Sequence, residues 1–173
     1  TRYTRYSKTL SSKSFNLLAA HDGDGTLVYQ SDNSAVAKVS AEGTVTVVGT
    51  GIAKITVSTT GNVKYDPASK VVYITVKPAK PTAKLTTPAK KQIKVTFTKV
   101  KGATKYQVRY GRMGKYYSKY VTHRDNDYTK TYTTINNRIS GKTYYIKVRA
   151  YKELEDGTRI YGDWSPVQKI KAK

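Results

Sequence analysis

The sequence predicts an all-β chain built as two β-sandwiches in tandem. Three observations carry that expectation. Apolar and polar residues alternate with a period of two in short runs, the pattern of strands buried on one face. Gly- and Asp-rich turns separate these runs at close, regular intervals, as in sandwich hairpins rather than βαβ units. The composition then changes near the segment Pro78-Ala79-Lys80-Pro81. Residues 1–78 hold 9 Lys and Arg against 5 Asp and Glu, a net of +4, whereas residues 79–173 hold 23 against 6, a net of +17. The expected domains are therefore 1–78 and 79–173. Two prolines in four residues cannot continue a central strand and favour a short, stiff, extended connector, which would hold two sandwiches end to end.

In the first half, residues 6–10 read as an edge strand and residues 14–20 (SFNLLAA) as a strand with an apolar bias. The run His21-Asp22-Gly23-Asp24-Gly25 is explicit turn chemistry. Leu27, Val28 and Tyr29 open the next strand, and residues 31–34 turn it. Residues 36–41 alternate, with Val36, Lys38 and Ser40 on one side and Ala37, Val39 and Ala41 on the other. Glu42-Gly43 turns the chain into residues 44–48, Gly49-Thr50-Gly51 turns it into residues 52–59, and residues 71–76 close the set. No window shows a convincing amphipathic helix.

Tyr29, Ser31, Asn33, Val36, Ala37, Val39, Gly43, Val45, Gly49, Gly51 and Ile55-Thr56-Val57 together form a pattern. It resembles the group 2 bacterial immunoglobulin-like domain, and Phe15, Leu17, Tyr65 and Val76-Lys77-Pro78 are in keeping with it. The resemblance covers about residues 6–78 and implies an immunoglobulin-like β-sandwich. Physically, the glycines fall where hairpins need positive φ or a close backbone approach.

In the second half, Ile93, Val95 and Phe97 alternate with Lys94, Thr96 and Thr98. Tyr106, Val108 and Tyr110 alternate with Lys105, Gln107 and Arg109. Residues 116–122 and 129–135 read as two more strands. The longest alternation follows the Gly141-Lys142 turn: Tyr144, Ile146, Val148 and Ala150 point one way, and Tyr145, Lys147, Arg149 and Tyr151 the other. A Glu155-Asp156-Gly157 turn comes next, then Trp164-Ser165-Pro166 and a last strand over residues 167–172. Phe97, Tyr106-x-Val108-x-Tyr110, Gly141-x-Thr143-Tyr144-x-Ile146-x-Val148-x-Ala150 and Trp164-Ser165 resemble a fibronectin type III domain over residues 81–172. Two departures stand out: Phe97 replaces the usual tryptophan, and no proline precedes Gly141. The resemblance places Tyr144 at the tyrosine corner, its ring inside and its hydroxyl on a nearby backbone group. A tandem of these two module types looks like the extracellular, non-catalytic parts of Gram-positive surface proteins and secreted enzymes.

Several chemistries are argued against. Without cysteine there is no disulfide, thiol catalysis or thiolate-bound metal. His21 and His123 lie far apart in apparent loops, with no nucleophile-elbow pattern for a serine triad. No carboxylate pair suits glycoside hydrolysis, and no Gly-rich loop leads into a helix to cradle a phosphate. Asp22-Gly23-Asp24-Gly25 is reminiscent of a calcium loop but lacks the further oxygens that a calcium site needs. The chain is therefore expected to be no enzyme, with no cofactor, catalytic residue or metal. A surface-domain isopeptide crosslink cannot be assigned to any Lys–Asn pair from spacing. No apolar run approaches the roughly 18 residues of a membrane span, so no membrane insertion is expected. The chain opens on Thr1 and reads as a segment of a longer protein, here taken as a monomer.

What remains is charge, +21 over the chain. In the fibronectin type III arrangement the strands of Tyr106, Tyr144 and Ile170 are neighbours, so their outward residues share one surface. The candidate ligand-binding residues are Lys105, Arg109, Tyr117, Tyr145, Lys147, Arg149, Tyr151 and Lys169, with Lys171 beside them. Like charges this close repel unless counterions, rings or a ligand offset them. Interleaved tyrosines can stack on cations, sugars or bases. Against this, Lys, Thr and Tyr also suit an ordinary exposed sheet surface and guard its edges. Expected partners are an anionic glycan or cell-wall polymer, or a host surface protein; no nucleic acid is expected, because no groove-reading element is apparent. The functional expectation is a non-catalytic extracellular spacer or adhesion module of a bacterial surface or secreted protein. The alternatives are a binding module using the basic face, and an accessory region of a larger secreted hydrolase.

Overall fold

A computed structural model describes residues 4–22, 25–61, 66–112 and 130–173 and the backbone of residues 123–125, and these described residues form fifteen β-strands and no helix. It divides into two units, Thr1–Lys77 and Pro78–Lys173. The expected strand over residues 116–122, with Tyr117, lies outside the described residues, as do Tyr65 and the tip of the Asp22–Gly25 turn.

The first unit contains β1 (Arg5–Thr9), β2 (Phe15–Asn16), β3 (Leu27–Ser31), β4 (Ala37–Val39), β5 (Thr44–Val47), β6 (Gly51–Thr59) and β7 (Ala68–Lys77). One sheet has the order β1-β7-β6-β3 and the other β2-β5-β4. β1 runs parallel to β7, with Tyr6 opposite Ile74, while the other pairs are antiparallel. Period-two alternation turns Ala53, Ile55, Val57, Val72, Ile74 and Val76 inward, where they bury Leu17, Ala37 and Val45 of the other sheet side.

Two expectations are corrected here. The strand over residues 14–20 stops after Asn16. The Asn16 Oδ1 accepts the Leu18 N–H at 2.7 Å, and Leu18 takes φ 48° with its side chain 74% exposed. An Asn side chain that bonds the backbone two residues on competes with the ladder, and a left-handed residue cannot extend it. Val36 and Ala37 are both buried, which strict alternation forbids. The reason is a turn in which the Asn33 carbonyl accepts both the Val36 and Ala37 N–H groups at 3.0 Å. The motif residues thus have physical work: Ser31 Oγ donates to the Ala37 carbonyl at 2.7 Å. Gly43, at φ +77°, faces the Tyr29 ring so closely that a Cβ would lie 2.7 Å from it.

The second unit contains β8 (Ala83–Thr86), β9 (Ile93–Phe97), β10 (Lys105–Gly111), β11 (His123–Asp125), β12 (Tyr132–Ile135), β13 (Thr143–Glu153), β14 (Arg159–Tyr161) and β15 (Gln168–Lys171). One sheet is β12-β9-β8; the other is β11-β10-β13, with β14 and β15 pairing successive stretches of β13. The core lies between them, with Ile93, Val95, Phe97 and Ile135 from the first sheet and Tyr106, Val108, Tyr144, Ile146 and Val148 from the second. Tyr144 sits 2% exposed, and its hydroxyl oxygen accepts the Ile139 N–H at 3.0 Å. Tyr106, fully buried, does the same for the Val100 N–H at 2.7 Å. Phe97 packs on Tyr106 with ring centres 4.7 Å apart, filling the space at the centre of this core.

Candidate functional site

The site is built on β13. Its eleven residues are long enough to pair β10 along one edge, and β14 then β15 along the other. Inward positions Tyr144, Ile146, Val148 and Ala150 are buried, so Tyr145, Lys147 and Arg149 must face out. The register sets Arg149 opposite Gln107 and Lys147 opposite Arg109 on β10, and Tyr145 opposite Lys169 and Thr143 opposite Lys171 on β15. The outward residues of the three strands therefore share one surface.

The edge of β13 facing β14 and β15 carries a bulge. The β14 register, continued, would set residue 166 opposite Ile146, but Gln168 stands there, so two extra residues enter between the strands. The inserted stretch is pinned at both ends of the gap. The Gly162 N–H donates to the Ala150 carbonyl at 2.9 Å, and Ser165 exchanges two hydrogen bonds with Val148. A Cβ at Gly162 would meet the Pro78 carbonyl oxygen at 2.5 Å, which is why the chain can pass there only as glycine. This path delivers Trp164 to the outward cations.

Three cations converge on the Trp164 ring: the Arg109 guanidinium at 4.9 Å, the Lys147 ammonium at 4.9 Å and the Arg149 guanidinium at 4.5 Å. Arg149 also lies 3.7 Å from the Tyr161 ring centre, and its Nε donates to Gln107 Oε1 at 2.7 Å. Cation–π attraction offsets part of the repulsion among the three charges. It does not remove it. Burial pulls the Lys147 ammonium below the usual lysine range, with the charges of Arg109 and Arg149 adding to the effect. Burial also lowers the Arg149 pKa; Tyr161 opposes that shift and Arg109 reinforces it.

The other candidate residues are distributed along this face. Lys105 Nζ pairs with Glu153 Oε1 at 2.8 Å, and Glu153 Oε2 takes Arg159 Nε at 2.9 Å, so a carboxylate already offsets that end of the array. Lys169 and Lys171 are exposed and Tyr145 is half-buried. Tyr151 departs from the expectation that its ring faces solvent: it is only 2% exposed. Lys105 stands opposite it on β10, and on β14 Tyr161 packs at 5.3 Å with Arg159 beside the ring at 5.6 Å. Strand β14, which the sequence reading missed, is what covers it. Tyr117 lies outside the described residues.

Trp164 and Tyr161 were not singled out from sequence as parts of this surface. Trp164 served only as a marker of the fold, and the signal that could have found it is the Gly-Asp-Trp-Ser-Pro run, which cannot form a regular ladder. His21 lines a small pocket of about 270 Å³ in the first unit with Ala19, Leu27, Val57, Ala68 and Lys70, among others. Among the described residues no group of three or more His, Asp or Glu is arranged to hold a metal.

A family model described as "Intimin, immunoglobulin-like domain" matches residues 15–61, which span β2 to β6 of the first unit. No curated protein matches the chain. Among solved structures, the crystal structure of the FN1–FN3 domains of chicken CNTN1 is similar, with a TM-score of 0.49 and 20% identity. The similarity covers 76% of this chain and 46% of that one, so the chain accounts for less than half of that structure's length. The protein is all-β, with two immunoglobulin-like sandwiches in tandem.

Proposed function

We propose that this chain is a non-catalytic extracellular module of a bacterial surface or secreted protein, serving as a spacer or an adhesive segment. In this reading residues 1–78 are a group 2 bacterial immunoglobulin-like domain and residues 79–173 a fibronectin type III domain. The observation that carries it is the match of residues 15–61 to an intimin immunoglobulin-like domain, fused to a second sandwich whose cations gather on an outward sheet face. A surface address is tested on intact cells that make the protein. An antibody against this chain should label them without permeabilisation; labelling only after lysis would contradict the proposal.

A second reading is favoured by the three cations around Trp164: the face binds an anionic glycan or cell-wall polymer. An ordinary solvated face spreads its charges apart, whereas this one concentrates them at a cost that a bound anion would recover. Binding of the chain to an immobilised anionic polymer should weaken steeply with salt as counterion release is lost.

A further inference from the structure

The outward face of β13 has a direction as well as a charge. Successive outward residues on a strand are two apart, a step of about 6.5 Å. Four successive rows each hold a cation: Arg149; Lys147 with Arg109 opposite; Lys169 opposite Tyr145; and Lys171 opposite Thr143. The row beyond Arg149 is different, because its cation, Lys105, is held by Glu153. The stripe therefore has a defined end and runs about 20 Å along the strand.

Two aromatic rings of this face, Tyr161 and Trp164, lie against its cations. Arg149 sits over both Tyr161 and Trp164, and Arg109 and Lys147 also lie against the indole. Bases in single strands are bound largely by stacking on free aromatic faces. The apolar C–H faces of sugar rings use the same kind of platform. Here those two rings are spent on holding cations, and regularly spaced charge dominates what the face offers a ligand. The 161–166 segment contributes one acid, Asp163, against the three cations its tryptophan meets.

We propose that this stripe binds a linear phosphodiester polymer with short, non-aromatic spacers, such as a polyol phosphate, laid along β13. This rests on the reading of the face as an anion-binding surface. Guanidinium groups of Arg109 and Arg149 suit the tetrahedral phosphate as paired donors, and Lys147, Lys169 and Lys171 act as point charges. A three-carbon alcohol between phosphates separates the charges by six bonds, close to one strand step. The polymer and the stripe then share a repeat.

The test is a titration of the whole chain with poly(glycerol phosphate) oligomers of graded length. Affinity should rise with length until an oligomer spans the four rows and then level off. The double variant K147E/R149E should lose on the order of tenfold or more at every length. K169E/K171E, whose exposed side chains leave the fold intact, should weaken only the longer oligomers. Trp164 emission and circular dichroism check that each variant is folded. Tighter binding of dextran sulfate at matched charge would overturn the phosphodiester assignment while leaving the anion-binding reading standing. Tighter binding of single-stranded DNA would assign the phosphodiester to nucleic acid and overturn the polyol spacer. Affinity independent of length would overturn the lengthwise placement. Failure of every polyanion to bind, or binding unchanged in both variants, would overturn the anion-binding reading as well.

Discussion

Ser165 and Val148 exchange two hydrogen bonds: the Ser165 N–H donates to the Val148 carbonyl at 2.7 Å, and the Val148 N–H donates to Ser165 Oγ at 2.9 Å. A side chain thus substitutes for a backbone acceptor where the bulge interrupts the ladder along β13. The consequence is positional, because Trp164 is seated among Arg109, Lys147 and Arg149 only if its neighbour is fixed to β13.

Replacing Ser165 with Ala should destabilise the second unit by about 1–3 kcal/mol, because the buried Val148 N–H loses its acceptor. Denaturant unfolding followed by the emission of Trp164, the chain's single tryptophan, reads this directly. An unchanged midpoint would mean that the bulge is held by its backbone bonds alone.

Two tyrosine hydroxyls cap backbone N–H groups in the same core, and their burial ranks them. Tyr106→Phe strands the Val100 N–H in a fully buried setting and should cost about 1–3 kcal/mol. Tyr144→Phe affects the part-buried Ile139 N–H, which water can reach more easily, and should cost less, about 0.5–1.5 kcal/mol. Equal losses in urea unfolding would refute the ranking.

Glycines at positive φ separate conformational strain from steric strain. Gly141, at φ +75°, has nothing within 4 Å of an added Cβ, so Gly141→Ala should cost only the left-handed penalty of about 1–2 kcal/mol. Gly43→Ala adds displacement of the Tyr29 ring and should lower the circular-dichroism melting temperature further. A smaller effect at Gly43 would show that the ring moves freely.

Glu153 supplies a pH dependence of definite sign. Its hydrogen bond from Lys105, with that from Arg159 adding, holds its pKa below the ordinary carboxylate value. That stabilisation is complete above the unfolded pKa of about 4.3 and is lost as pH falls through the lowered folded value. The melting temperature of the wild type should therefore exceed that of Glu153→Gln at neutral pH, and the difference should vanish in acid. Lys147 moves stability the same way with pH: its depressed pKa likewise makes the folded state hold fewer protons, so its penalty fades as pH rises towards the ordinary lysine value. A Glu153→Gln difference that persisted in acid would discount the ion pairs.

The sequence made the inward face of β13 legible because a period of two needs no partner to be read. The adjacency of β10, β13 and β15 followed from the fold resemblance and the outward parity from alternation, and so Arg109, Lys147 and Arg149 are gathered on one surface by sequence alone; the register that pairs them is a structural fact. What escaped was everything that depends on an irregular path. β8 is four residues between two prolines and β14 is three, too short for alternation to show. Missing β14 meant missing the cover over Tyr151, so parity alone left that ring in solvent. Trp164 joins the face through a two-residue slip in register that no periodicity encodes. Leu18 broke its strand through one Asn side chain, a local competition invisible to hydropathy.

A working surface around Trp164 differs from an incidental cluster of cations in how it responds to salt. That difference is tested most directly by binding of the whole chain to an immobilised anionic polymer across a range of salt concentrations. Log affinity should fall linearly with log salt, and K147E/R149E should both weaken binding and flatten that slope. Binding that ignores salt, or that survives the double charge reversal unchanged in a folded variant, would contradict a working surface there.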